Sequence, residues 1–112
     1  MTTDPIAAAM TEDELQSCVM DACRVLGLLA YHTHDSRRSP AGFPDLAIVG
    51  RRLIFRELKA QRGKTTAAQE QWLAALRHAG IDADVWRPGD WRDGNIMRQL
   101  QGLRMKAVVG HV

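Results

Sequence analysis

Gly42-Phe43-Pro44-Asp45-Leu46-Ala47-Ile48-Val49-Gly50-Arg51-Arg52-Leu53-Ile54-Phe55-Arg56-Glu57-Leu58-Lys59 contains two apolar-rich runs joined by Gly50-Arg51-Arg52. Short runs rich in β-branched and aromatic residues, separated by a tight turn, predict a hairpin with strands Phe43 to Val49 and Leu53 to Lys59. A hairpin symmetric about Arg51 sets Leu46 against Arg56 and Ile48 against Ile54, and Asp45 then falls opposite Glu57. Side chains alternate along a strand, so Asp45, Glu57 and Lys59 share one face. Directly opposed residues carry Cβ atoms about 4.5–5.5 Å apart. Two carboxylates so close repel each other, and both lie at the ends of apolar strands, where an unpaired charge is costly. A divalent cation held by oxygens removes that repulsion, and Lys59 adds a positive charge two residues on. The plainer alternative is that Glu57 pairs with Lys59 or Arg56 while Asp45 caps the Pro44 turn.

The flanking sequence frames this hairpin. Thr11 followed by Glu14 makes a capping box, and Leu15, Cys18, Val19, Ala22 and Leu26 recur at helical spacing until Gly27. Leu28 to Thr33 reads as a strand and His34 to Gly42 as a polar loop. Beyond the hairpin, Ala60 to Lys64 is a basic loop. Thr65 or Thr66 then caps a helix with an Ala68, Trp72, Leu73, Leu76 and Ala79 stripe that stops at Gly80. Ala83 to Arg87 reads as a fourth strand, and Asp90 to Leu103 as a terminal helix. Residues 1–10 show no periodicity and are expected to be unstructured; 11–103 form one domain and 104–112 a tail. The expected architecture is α/β: a mixed sheet of about four strands flanked by helices, in helix-strand-strand-strand-helix-strand order with an extra C-terminal helix.

At 112 residues the chain has room for a single core. A composition of 46% hydrophobic and 25% charged residues is that of a globular protein, and no apolar run suits a membrane span. No secretory signal is evident, and two cysteines fit a reducing cytoplasm. The formal charge of +2 hides an uneven distribution. Between Tyr31 and Lys64 stand Arg37, Arg38, Arg51, Arg52, Arg56, Lys59, Arg62 and Lys64, opposed by Asp35, Asp45 and Glu57 alone. A basic middle suits a phosphate backbone. Arg37, Arg38, Arg62 and Lys64 are natural phosphate contacts, the plainer alternative being exposed loops of solvated charge. His32 and His34 share a strand face with no further ligand in evidence, so contact with DNA is the better reading than a zinc site. Cys18 and Cys23 read as small buried hydrophobes, Trp72 and Trp86 as core. No nucleotide-binding P-loop is present, because Leu58 stands where that motif needs its first glycine.

Pro44-Asp45 followed by Glu57-Leu58-Lys59 resembles the PD-(D/E)XK nuclease signature. Gly42-Phe43-Pro44-Asp45-Leu46, Phe55-Arg56-Glu57-Leu58-Lys59 and Gln69 ahead of Trp72 are similar to the VRR-NUC (virus-type replication-repair nuclease) branch. The stretches Tyr31 to Ser39 and Trp86-Arg87-Pro88 look like its compact phage members. The resemblance runs from about Thr11 to Trp91. It implies a restriction-endonuclease-like core and Mg²⁺-dependent (or Mn²⁺-dependent) hydrolysis of DNA phosphodiesters. Asp45, Glu57 and the backbone carbonyl of Leu58 would hold the metal. Lys59 would orient water or stabilise developing charge, and Gln69 would position either one. A glutamate from the first helix joins the site in this branch, and Glu12 fits that pattern better than Glu14, which the capping box already explains. For a stand-alone domain the resemblance implies a homodimer acting on branched DNA, as a Holliday junction resolvase does. A monomeric flap or nicking nuclease and a non-catalytic DNA-binding module are the alternatives.

Overall fold

Leu46 pairs with Arg56, Ala47 with Phe55, Ile48 with Ile54 and Val49 with Leu53. This is the register expected of a hairpin centred on Arg51. In the computed structural model, which describes residues 4–34 and 38–105, the elements run α1 (Pro5–Ala9), α2 (Glu12–Val25), β1 (Leu29–His32), β2 (Leu46–Val49), β3 (Leu53–Leu58), α3 (Ala67–His78), β4 (Asp82–Trp86), α4 (Pro88–Arg92) and α5 (Asn95–Gly102). The sheet order is β1-β2-β3-β4. The first three strands are antiparallel neighbours, and β4 returns parallel to β3 after the α3 crossover. The fold is therefore the mixed four-strand α/β architecture read from the sequence.

Strand β2 starts at Leu46, three residues later than expected. Pro44 has no N–H to give a ladder. The Pro44 and Asp45 carbonyls instead accept from the Thr33 hydroxyl (2.9 Å) and the Thr33 N–H (2.7 Å). One side of the sheet carries Leu46, Ile48, Ile54 and Leu58. These residues pack with Leu15, Val19 and Cys23 of α2, with Trp86, and with Ile96, Leu100 and Leu103 to form the core. Burial raises the Cys23 thiol to about 11, so this cysteine behaves as an inert hydrophobe.

The helix starts follow their caps. The Thr11 hydroxyl accepts from the Glu14 N–H, and the Glu14 carboxylate accepts from the Thr11 N–H. Thr66, not Thr65, caps α3 in the same reciprocal way with Gln69. The expected terminal helix is two helices, because Gly94 takes a left-handed φ of 85° between α4 and α5. Residues 4–10 also depart from expectation, while 1–3 lie outside the described residues. Asp4 caps α1 through the Ile6 N–H (3.0 Å), Ala7 is fully buried, and the Asp4 carboxylate accepts from Arg92 Nε at 2.9 Å. That partner is distant in sequence, so no local periodicity reveals it. Arg104 and Met105 of the expected tail belong to no element, and 106–112 lie outside the described residues.

The end of α5 closes on the hairpin turn. The Arg51 N–H donates to the Leu103 carbonyl at 2.9 Å. A Cβ on Gly50 would stand 2.1 Å from that oxygen, so only glycine admits the approach. Among the described residues no helix is long and apolar enough to cross a membrane.

Candidate active site

The hairpin delivers Asp45, Glu57 and Lys59 to one place at the end of β3. Asp45 Oδ2 accepts the Leu58 N–H at 2.7 Å, which draws this carboxylate across the strand beside Glu57. Glu57 is only 2% exposed and Lys59 only 9%. Lys59 Nζ stands 3.8 Å from Glu57 Oε2, an ion pair too long for a hydrogen bond. The Lys59 backbone is fixed by its N–H bond to the Trp86 carbonyl at 3.1 Å. Glu57 Oε1 is buried with no hydrogen-bond partner. Burial pushes the Glu57 carboxyl up to about 8, and the Asp45 charge, a side-chain hydrogen bond to Asp45 and the Glu12 charge work in the same direction. Lys59 opposes this rise without overcoming it.

Such a carboxylate is poor for stability and well suited to a cation. Two acids, one of them with an orphaned oxygen, are pressed together where protein neutralises them incompletely, and an oxygen-preferring divalent ion would satisfy both. The donor chemistry fits Mg²⁺ or Mn²⁺, and Asp45 and Glu57, with the Leu58 carbonyl that the resemblance implies, are the groups that could hold it. Among the described residues no group of three His, Cys, Asp or Glu side chains is placed to hold a metal ion, so Glu12 is not drawn into one ligand set with Asp45 and Glu57.

The other expected residues fall on either side of this centre. Glu12 opens α2 and lies close enough to act electrostatically on Glu57, whereas Glu14 is engaged with Thr11. The Gln69 carbonyl oxygen is taken by the Thr66 N–H, which leaves its Nε2 amide for any role at the site. Arg62 and Lys64 are exposed on the loop after Lys59, and Arg38 is exposed on the loop after β1. Arg37 lies outside the described residues, as does Asp35. His32 is half-buried, with its ring 4.3 Å from that of exposed His34 in an edge-to-face contact.

Arg56 does not belong to the basic surface. It is 4% exposed and turns away from Glu57, pairing with Asp82 at 2.9 Å, donating to Gln99 at 2.8 Å and lying 5.0 Å over the Trp86 ring. Trp86 is core, as read. Trp72 is instead half-buried, donating Nε1 to the Ala41 carbonyl at 3.1 Å and packing edge-to-face on Phe43. It holds the loop before Asp45 against α3.

Sequence reasoning missed Arg87 as a support of the site. Its Nη1 donates to the carbonyls of Ala60 (2.9 Å) and Gly63 (2.5 Å), and the Gly89 N–H donates to Gln61 at 2.7 Å. Together these bonds tie the basic loop to the start of α4. Its one available signal was an arginine directly ahead of Pro88-Gly89, where a strand ends.

No family profile and no curated protein matches the chain, but a solved structure does. A VRR_NUC domain protein superposes with a TM-score of 0.65 over 93% of this chain and 98% of its own, at 23% sequence identity. The fold is that of a VRR_NUC domain. At that identity the VRR_NUC likeness speaks for the architecture, and the chemistry rests on the residues described above.

Proposed function

We propose that the chain is a metal-dependent, structure-specific DNA endonuclease, working as a homodimer that resolves Holliday junctions. The observation that carries the reading is the Asp45–Glu57–Lys59 cluster, with Glu57 and Lys59 buried, Asp45 half-buried and one Glu57 oxygen orphaned, set in a VRR_NUC-like fold. A binding module has no use for two opposed acids. A divalent cation held there would supply a Lewis acid for the phosphodiester and would lower the pKa of a bound water. Asp45 and Glu57 supply the negative charge that holds it. Lys59, nearly buried and beside Glu57, stabilises negative charge as it develops on the phosphate. Gln69 Nε2 orients Lys59 or the water, and Glu12 adds negative field from the start of α2. Arg38, Arg62 and Lys64 carry the DNA backbone, with Arg37 as a fourth contact and His32 lying near the cut.

An uncovered sheet face supports the dimer. Leu29, Val49 and Leu53 stand in one row across β1, β2 and β3, 76%, 42% and 39% exposed, with Tyr31 in the next row. A contiguous apolar face suits a self-complementary contact about a twofold axis. Incubation with labelled four-way junction, flap and duplex DNA, in Mg²⁺ and in EDTA, tests the reading. Paired symmetric cuts in the junction, with Mg²⁺ only, are expected. A single nick on any substrate replaces the resolvase with a monomeric nuclease, and binding without cleavage in any metal replaces the enzyme with a binding module.

A further inference from the structure

Beside Asp45 lies a cleft of about 470 Å³ that the carboxylate pair does not fill. That volume is within the ~300–1,000 Å³ of small-ligand sites. Its lining includes His32, His34, Phe43, Gln16, Asp13 and Asp45. The two histidine rings meet edge-to-face, and Phe43 is held edge-to-face by Phe55 and Trp72 while remaining 36% exposed. We propose that this cleft receives one unstacked nucleobase, adjacent to the phosphodiester presented to the Asp45–Glu57 centre. The inference rests on the nuclease reading and adds to it a reason for selecting branched DNA.

Charge decides what the cleft can take. Asp13 and Asp45 are acidic, and no Lys or Arg is among the described lining residues, so a phosphate is disfavoured inside it. A neutral, flat heterocycle with donors and acceptors on its edge matches the rings and the Gln16 amide. The wall is also built before any ligand arrives. Thr33 bonds the Pro44 and Asp45 carbonyls, Trp72 holds Ala41, and a Cβ on Gly42 would meet the Ala68 backbone at 2.5 Å. A preorganised cleft loses little to ordering when it is filled. A base inside an intact duplex cannot enter without leaving its stack, and that step costs least at a branch point or an unpaired nucleotide. Selection of branched DNA thus needs no second domain.

The test uses the full chain with Ca²⁺ in place of Mg²⁺ and a fluorescent four-way junction. Each nucleotide around the mapped cut is replaced in turn by an abasic analogue, and affinity is read by anisotropy. One position is expected to weaken binding about tenfold and its neighbours less than twofold. That loss should vanish in His34→Ala, whose ring is exposed and whose removal leaves the core untouched, and in Phe43→Leu. Equal affinities at every position overturn the inference, as does a loss that persists unchanged in both variants. Cleavage of the unmodified junction in Mg²⁺ reads the nuclease proposal separately. If the junction is cut yet no base matters, the cleft alone is misassigned; if the junction is neither bound nor cut, both readings fall.

Discussion

Arg56 and Glu57 are neighbours on β3, both ionic and both buried, and the protein treats them in opposite ways. Successive side chains leave an extended strand on opposite sides. On one side Arg56 finds Asp82, two backbone carbonyls, Gln99 and the Trp86 ring, with only Nε left over. On the other, Glu57 faces a second carboxylate and a lysine at 3.8 Å, and its own Oε1 has no partner. A buried charge kept for folding is surrounded by partners, whereas one kept for chemistry is left short of them. The contrast locates the working side of the hairpin.

Replacing Glu57 with Gln probes that contrast most strongly. Mg²⁺-dependent cleavage is expected to fall roughly 10³-fold, while thermal unfolding of the metal-free protein near pH 6 stays close to the parent's, since a carboxyl raised to about 8 is already neutral there. A Glu57→Gln protein that cuts normally, or that melts well below the parent, would break the comparison. Arg56→Met is the mirror experiment. It should destabilise the fold by about 3 kcal/mol in urea titration, with cleavage per folded molecule preserved. Loss of cleavage from a fully folded Arg56→Met protein would put this arginine in the site after all.

The two sides also titrate in opposite directions. Glu57 is raised from 4.5 to about 8, so its contribution to stability is complete below pH 4.5 and is lost as pH climbs through 8. Metal-free protein should therefore melt lower at pH 9 than at pH 6, and added Mg²⁺ should raise the melting point more at pH 9, where no proton has to leave. The Asp82 carboxyl gains from burial a push upward, but Arg56 and Arg52 outweigh it and hold the group below 3.8. Its contribution is present above that value and disappears only in acid. Melting that is flat from pH 6 to pH 9 would remove the distinction.

The smallest effects belong to the loop beyond Lys59. Arg62→Ala and Lys64→Ala should each lower the slope of log affinity against log salt by about 1 and leave stability within about 0.5 kcal/mol. An unchanged slope would take these residues off the DNA path.

What was legible in the sequence was local. The Thr11–Glu14 box, a threonine cap for α3 left between Thr65 and Thr66, the stops at Gly27 and Gly80 and the Leu46–Arg56 register all follow from residues a few positions apart. The acids of the site were legible because their repulsion is visible once the register is set. Arg56 was counted with the surface charge because its partners, Asp82 and Gln99, come from β4 and α5. The helix at Pro5–Ala9 was missed for the same reason, its cap being tied to Arg92. Gln69 is a helix cap that the proposed function also uses at the site, and spacing alone cannot separate a cap from a catalytic amide.

The contact between Gly50 and Leu103 gives the spacing of the acids an external reference. Because the turn is pinned by the carbonyl that ends α5, the Asp45–Glu57 register is calibrated from the far end of the fold. A chain cut before Leu103 would keep every acid, lysine and glutamine of the site. It would lack the gauge that tells the two strands where to stop.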